Sequence, residues 1–260
     1  MFVNSKSKLP LMAALFASAA ISSASLADIG PVVFRVDAEY TDGQGLLHSG
    51  FFEAPFDISY WNPVTQEYDW QLPAQIVIRD ENGQMIAGIG SAGVYCREDP
   101  QVDLNFSVFA GSINTTFTIT SPFLSFASIA SAQGRTSAGF SISDLDGDGV
   151  SLSDWNGNSI YTSRYNGNVP GGTVFHDHFS GTYGTAVPFD SFSISEDFPG
   201  GGMFSPIGPA VSDMSSRFRF TLSANDIASG TSVYEIVPIP APASVTLLGL
   251  GGILVARRRR

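Results

Sequence analysis

Short stretches in which apolar and polar residues alternate dominate the middle of this 260-residue chain, and they constrain its fold more than any other feature. The clearest lie at 31–40 (PVVFRVDAEY), 75–79 (QIVIR), 104–110 (LNFSVFA), 116–120 (TFTIT), 140–142 and 217–222 (RFRFTL). Alternation with Val, Ile, Phe and Thr is typical of half-buried strands, because successive side chains of a strand point to opposite faces of the sheet. A last strand is predicted at 232–237.

Turn-forming residues separate these stretches and complete the prediction of an all-β fold. They occur at Asp42-Gly43, Asn82-Gly83, Asn156-Gly157, Asn166-Gly167 and the glycine run 200–202. Residues 121–132 could form a helix or two short strands, and 199–209 reads as a long loop. The absence of a repeat of about 20–50 residues argues against a propeller or solenoid. We therefore expect residues 28–237 to form one antiparallel β-sandwich or jelly roll.

The charge of this body is strongly acidic. Residues 28–240 contain seven arginines, no lysine and all 24 acidic residues, a formal charge of −17. Nucleic-acid binding is excluded, because it depends on many Lys and Arg side chains that neutralise phosphates. Divalent cations would be attracted instead. A single cysteine, Cys96, also excludes an internal disulfide and a zinc site built from several cysteines.

The first 27 residues have the pattern of a secretory signal peptide. Lys6 and Lys8 supply positive charge, and the short apolar stretch 9–21 follows them. Small residues then precede a predicted cleavage between Ala27 and Asp28. The alternative is a buried N-terminal helix, since the apolar stretch is too short to span a bilayer. We predict export through the Sec machinery.

The last residues have an equally marked pattern. The segment 237–260 reads VPIPAPASVTLLGLGGILVARRRR: closely spaced prolines, an apolar stretch at 243–256 and four arginines. The apolar stretch is marginal for a hydrocarbon core of about 30 Å. Positive charge resists translocation, so the arginines should stay on the cytoplasmic side. The pattern predicts a chain held in the membrane by its tail with its body outside.

This tail resembles the PEP-CTERM sorting signal of exported bacterial proteins. Pro240-Ala241-Pro242 stands where that family has Pro-Glu-Pro, without the central glutamate, and 238–240 offers a second register. The resemblance implies that 238–260 is a sorting segment, with Arg257, Arg258, Arg259 and Arg260 as its basic cluster. It also implies recognition by an exosortase-type membrane protease, after transient anchoring in the inner membrane of a bacterium that makes exopolysaccharide. A plain C-terminal membrane anchor is the alternative.

One segment of the body has the composition of a metal-binding loop. Residues 144–149 read DLDGDG, and alternating carboxylates with a glycine turn suit the oxygen coordination of calcium. The segment resembles the calcium loops of EF-hand and dockerin modules. That resemblance implies a structural calcium ion held by Asp144, Asp146, Asp148, the Val150 carbonyl and Asp154. The position of the family's last acidic ligand falls on Trp155, one residue after Asp154. The alternative is an ion-free Asp/Gly turn.

Other residues point less clearly to chemistry. His176 and His178 would share one face of a strand and could reach one ion, but His48 is the only other histidine. An ion-free histidine pair is the favoured interpretation. No hydrolase elbow, zinc-protease, P-loop or dinucleotide motif is present. We therefore expect no enzymatic activity.

The predicted function follows mainly from the two ends. We expect an exported cell-surface or extracellular-matrix protein, structural or associated with exopolysaccharide, that is sorted by an exosortase. A carbohydrate-binding module is an alternative, with aromatic residues as a stacking platform. The residues concerned are Tyr60, Trp61, Tyr68, Trp70, Trp155 and Tyr161. A secreted polysaccharide hydrolase that uses a carboxylate pair is a further alternative.

Overall fold

The computed structural model describes residues 28–167 and 171–239. The predicted signal peptide with Ala27, the triplet Pro240-Ala241-Pro242 and the basic cluster 257–260 lie outside the described residues. Within the described ranges, no helix is long and apolar enough to cross a membrane.

The described chain forms nineteen strands and one short 3-10 turn at Ile58–Tyr60. The strands are β1 Asp28–Ile29, β2 Val32–Thr41, β3 Leu47–Pro55, β4 Trp61–Asn62, β5 Glu67–Gln71, β6 Ile76–Arg79, β7 Met85–Arg97, β8 Gln101–Ala110, β9 Thr115–Thr120, β10 Leu124–Ile129, β11 Ala132–Ser143, β12 Val150–Asp154, β13 Tyr161–Tyr165, β14 Thr173–His178, β15 Thr182–Thr185, β16 Ser191–Phe198, β17 Ser205–Ile207, β18 Val211–Leu222 and β19 Ile227–Pro238.

These strands build two antiparallel sheets, as the alternating pattern predicts. Sheet A has the order β1-β10-β18-β9-β2-β3; β12 and β13 also pair with β18, and they carry β15 and β14. Sheet B has the order β16-β11-β19-β8-β7-β5-β4, with β17 on β11 and β6 on β7. The chain moves repeatedly between the sheets, so strands distant in sequence become neighbours. This matters for the site, because its residues come from separate parts of the chain.

One apolar core lies between the two sheets. Phe106 of sheet B meets Phe218 of sheet A with 5.0 Å between ring centroids, and Phe34 stacks on Trp70 at 5.6 Å. Opposite Phe106 on β19 stands Gly230, where an added Cβ would lie 2.3 Å from the phenylalanine ring. Burial of these rings supplies the main stabilisation of the sandwich.

The predicted strands are confirmed, and several are longer than the pattern indicates. The helix alternative at 121–132 is wrong, because Leu124–Ile129 is strand β10 and pairs with β1 and β18. The predicted loop 199–209 contains the short strand β17, which pairs with β11. Cys96 is buried in β7, and burial raises the pKa of its thiol, as expected of an inert cysteine.

Candidate functional site

The acidic loop between β11 and β12, residues 144–149, is folded around the side chain of its first residue, and we call it the Asp144 turn. One Asp144 oxygen, Oδ1, accepts hydrogen bonds from the backbone N–H of Asp146 at 3.1 Å and Gly147 at 2.8 Å. Its other oxygen, Oδ2, accepts from Gly149 at 3.0 Å and Phe189 at 2.8 Å. Burial opposes ionisation, but these four N–H donors outweigh it and lower the pKa of Asp144.

A further carboxylate joins this turn from the connection between β18 and β19. Asp226 is fully buried, and its carboxylate accepts hydrogen bonds from the Leu145 N–H at 3.2 Å and the Ser223 hydroxyl. Oxygen atoms of Asp144, Asp146 and Asp226 lie within 4.8 Å of one another. Sequence spacing could not identify Asp226, because it lies about 80 residues away from the loop. Its only signal in the sequence was a polar turn after a predicted strand.

The negative charge of this group is only partly compensated. Burial, followed by the charges of Asp144 and Asp146, raises the pKa of Asp226 despite its hydrogen bonds. A hydrogen bond to Asp146 and the charge of that residue raise the pKa of Asp148. The ion pairs among the described residues include none of these four carboxylates. A bound cation would relieve the repulsion.

The oxygen-only donor set fits calcium better than zinc or copper. The Asp144 oxygens already accept four backbone hydrogen bonds, so the Asp144 carboxylate has few lone pairs left to coordinate an ion. Asp146 and Asp226 would therefore carry more of the coordination than Asp144. The fit concerns the chemistry of the donors, and it does not depend on an EF-hand helix pair.

Two of the residues that the resemblance implied have other contacts in the structure. The Val150 carbonyl lies against Gly184 of the neighbouring strand β15, where an added Cβ would be 2.1 Å from its oxygen. Asp154 accepts hydrogen bonds from the N–H of Gly157 at 3.0 Å and Gly181 at 2.6 Å, and so organises a different turn. In the structure, Asp226 is the acidic residue that approaches Asp144 and Asp146.

A second acidic turn, residues 80–84 between β6 and β7, follows the same plan, and we call it the Asp80 turn. Asp80 is buried, and its Oδ1 accepts from the backbone N–H of Asn82 at 2.9 Å and Gln84 at 2.8 Å. Its Oδ2 accepts from the Tyr40 hydroxyl at 3.3 Å. These bonds outweigh the effect of burial and lower the pKa of Asp80.

His48 lies against this second turn and, when protonated, supplies a cationic partner. Its Nδ1 lies 2.7 Å from Glu81 Oε1, and its Nε2 lies 3.4 Å from Asp42 Oδ2. Its ring stacks on Tyr40 with 4.8 Å between centroids. Burial opposes protonation, but the hydrogen bonds to Glu81 and Asp42 outweigh it and raise the pKa of His48. His48, Asp80 and Glu81 also form a group with metal-ligand spacing.

His176 and His178 share one face of β14, as predicted, with 4.7 Å between ring centroids. His176 stacks on Phe198 at 3.8 Å, while His178 Nδ1 lies 3.3 Å from Glu196 of sheet B. Burial lowers the pKa of both histidines. His48 lies on β3, next to the Asp80 turn, so it does not join them. This pair therefore packs and bridges the two sheets.

The predicted aromatic platform is divided between core and surface. Tyr68 and Trp70 are buried, whereas Trp61 is half-buried and Tyr60 is exposed. Tyr68 packs on Phe56, with 5.3 Å between ring centroids. Buried rings cannot stack on a sugar in solvent, which excludes Tyr68 and Trp70, whereas Trp155 is half-buried like Trp61. Tyr161 is likewise fully buried.

The outer face of sheet B carries small hydroxyl side chains. A shallow groove of about 680 Å³ crosses five of its strands. Its serines are neighbours across those strands: Ser91, Ser107, Ser229, Ser141 and Ser193. The groove offers hydrogen-bonding groups without charge.

No family model matches this chain, and neither the curated proteins nor the solved structures compared with it give a match.

Proposed function

We propose that this chain is an exported bacterial cell-surface or extracellular-matrix protein, sorted by an exosortase-type protease and associated with exopolysaccharide. The observation that carries the proposal is the order of segments in the tail: proline triplet, apolar stretch and arginine cluster, following a signal-like first segment. In this proposal the chain is the substrate of a processing enzyme and is not itself an enzyme.

The composition of the body suits that environment. A charge of −17 over residues 28–240 keeps copies soluble and apart. The acidic surface would associate with anionic polymers through divalent ions, which are available outside the cell.

Calcium has a defined place in this proposal. It would be held by the Asp144 turn together with Asp226, where raised pKa values mark uncompensated charge. Its role would be structural: neutralising the carboxylates and fixing the loop against the connection between β18 and β19. The affinity suited to an extracellular site is about 10⁻⁴–10⁻³ M.

The test is the intact mass of the protein recovered from its native cells and medium, with mapping of both terminal peptides. We expect a first residue at Asp28 and a last residue near Pro240-Ala241-Pro242. A matched variant with Pro240→Ala and Pro242→Ala should keep its arginines and stay with membranes. If the wild-type protein keeps Arg257–Arg260 and stays with membranes, the tail is a permanent anchor and the exosortase proposal fails.

A carbohydrate-binding module is the second candidate, and the serine-lined groove of sheet B favours it. Ser107→Phe should then abolish retention on a neutral polysaccharide while leaving the melting temperature nearly unchanged. Thr65→Phe, in an exposed turn, is the control for added apolar surface. Turnover of the polysaccharide would identify a hydrolase, whereas retention without turnover identifies a binder.

A further inference from the structure

Three of the seven arginines of the body lie together on the outer face of sheet A. Along β18, Phe218 and Phe220 point into the core, so Arg217 and Arg219 point outward. Arg164 of β13 stands opposite Ser215 of β18, diagonally next to Arg217. By strand geometry, the Cα atoms of Arg217 and Arg219 are about 7 Å apart, and the Cα atom of Arg164 is about 7–8 Å from that of Arg217.

These arginines lack carboxylate partners within the described part of the chain. The arginines that form ion pairs there are Arg35, Arg97 and Arg135. In Arg164, Arg217 and Arg219, the Nε atom is buried and has no hydrogen-bond partner. Buried N–H donors are normally paired, so three orphans on one face mark a place where an acceptor is missing.

The side chains around the three arginines hold them in place. Arg164 Nη1 donates to the Gly172 carbonyl at 2.6 Å. The Arg219 guanidinium lies 3.4 Å from the centroid of the Trp155 ring. Arg217 stands between Thr162 of β13 and Thr120 of β9. Because the side chains are positioned before binding, a ligand would lose little affinity to their ordering.

The local charge is unfavourable without an anion. Burial, and then the charges of Arg219 and Arg164, lower the pKa of Arg217, whereas the charge of Asp177, which stands on β14 opposite Thr162, opposes this effect. The acidic body favours positive charge at long range, but the three neighbouring arginines repel one another at short range. Such a cluster is stable when a bound anion neutralises it.

We propose that Arg164, Arg217 and Arg219 form an oxyanion-binding site for the carboxylate or sulfate groups of an acidic ligand. Guanidinium groups bind planar carboxylates and tetrahedral sulfates through paired N–H donors. The hydroxyls of Thr120 and Thr162 add uncharged hydrogen-bonding groups beside Arg217. The ligand would bind to sheet A directly, without a divalent ion. The identification of the ligand as an acidic glycan rests on the proposed function, whereas the oxyanion site itself is independent of that function.

The test is titration calorimetry on the full-length chain in the presence of a chelator. The probes are sodium sulfate, sulfated dextran, polygalacturonate and neutral dextran. We expect the acidic probes to bind and neutral dextran not to bind. Arg217→Gln should weaken binding at least tenfold, and Arg217→Lys should weaken it less, because charge is kept while the fork of donors is lost.

Arg79→Gln is the matched control, because it removes the same charge from the edge of sheet B, where the Arg79 side chain donates to the Gly83 carbonyl at 2.9 Å. Equal weakening by Arg79→Gln and Arg217→Gln would mean that binding follows net charge, and the site would be overturned. So would a failure of every acidic probe to bind the folded wild-type chain. Binding of sulfate alone would support the site and count against an acidic glycan as its ligand. That result leaves the terminal-mapping test of sorting unaffected.

Discussion

The Asp80 turn and the Asp144 turn use the same local structure and differ in what balances their charge. In both, a buried aspartate follows a strand and accepts backbone N–H bonds from the residues after it. Beside the Asp80 turn lies His48, which is a cationic partner when protonated. Beside the Asp144 turn lies Asp226, another buried carboxylate.

This difference separates a structural turn from a turn suited to binding. The hydrogen bonds of Asp144 explain the shape of its loop, so the loop needs no ion to fold. They do not explain why Asp226 and Asp148 lie next to it with raised pKa values. In the first turn His48 balances part of the carboxylate charge within the protein, whereas in the second turn no cationic side chain of the described residues forms an ion pair with the carboxylates.

The largest expected effect tests the shared structure. Asp144→Ala should raise the unfolding equilibrium constant on the order of a hundredfold, because four backbone donors lose their acceptor. Asp80→Ala should raise it on the order of tenfold, because fewer donors are lost. Urea unfolding monitored by circular dichroism measures both. Asp69→Ala, on the exposed face of β5, is the control and should change little. If Asp144→Ala is as mild as the control, the carboxylate does not organise the loop.

Calcium should distinguish the two turns next. With CaCl₂ at about 10 mM and a dissociation constant of about 1 mM, the melting temperature should rise by roughly 3–6 °C. Asp226→Asn should abolish this rise, because it removes a charged ligand from the second turn. Asp80→Asn should preserve it. Differential scanning calorimetry with calcium or chelator measures the shift. The same rise in wild type and Asp226→Asn would place the ion elsewhere.

The sequence predicted what depends on local periodicity and missed what depends on how the strands are arranged. Alternation located β2, β8, β9 and β18, because a half-buried strand imposes a period of two on its own residues. The DLDGDG turn was also visible locally. Asp226 and His48 were not, since Asp226 reaches its partners through the pairing of β11 with β19, and His48 reaches the Asp80 turn where β3 of sheet A packs against β6 of sheet B. Spacing within a family motif suggested Asp154, but in this sandwich Asp154 organises a neighbouring turn.

The three histidines should change the stability of the fold with pH by smaller amounts, and His48 should act in the opposite direction to His176 and His178. Nuclear magnetic resonance titration of the three rings should give a pKa above the ordinary 6.5 for His48, and below it for His176 and His178. Because protonation of His48 is favoured in the folded state, its stabilisation is complete below pH 6.5 and is lost as pH rises through the raised pKa. For His176 and His178, whose pKa values are lowered, the sign is opposite: the fold loses stability as pH falls below 6.5.

Glu81→Gln sharpens this titration, because it removes the carboxylate nearest His48 Nδ1. The pKa of His48 should then fall toward 6.5, while the pKa values of His176 and His178 stay where they are. A His48 pKa that does not respond to this change would mean that Glu81 does not supply the balancing charge of the first turn.

The smallest expected effect is a gain in stability. The folded state favours protonation of Asp148, so its ionised form destabilises the fold slightly once pH rises through the raised pKa. Asp148→Asn should therefore stabilise the calcium-free protein slightly at pH 7 and have no such effect in acid. With calcium the wild type should become the more stable of the two proteins, because it keeps a ligand that Asp148→Asn lacks. Asp99→Asn, in the exposed turn after β7, removes the same charge and should show no reversal. Thermal melts at both pH values, with calcium and with chelator, decide whether the second turn is poised for a cation or is only acidic.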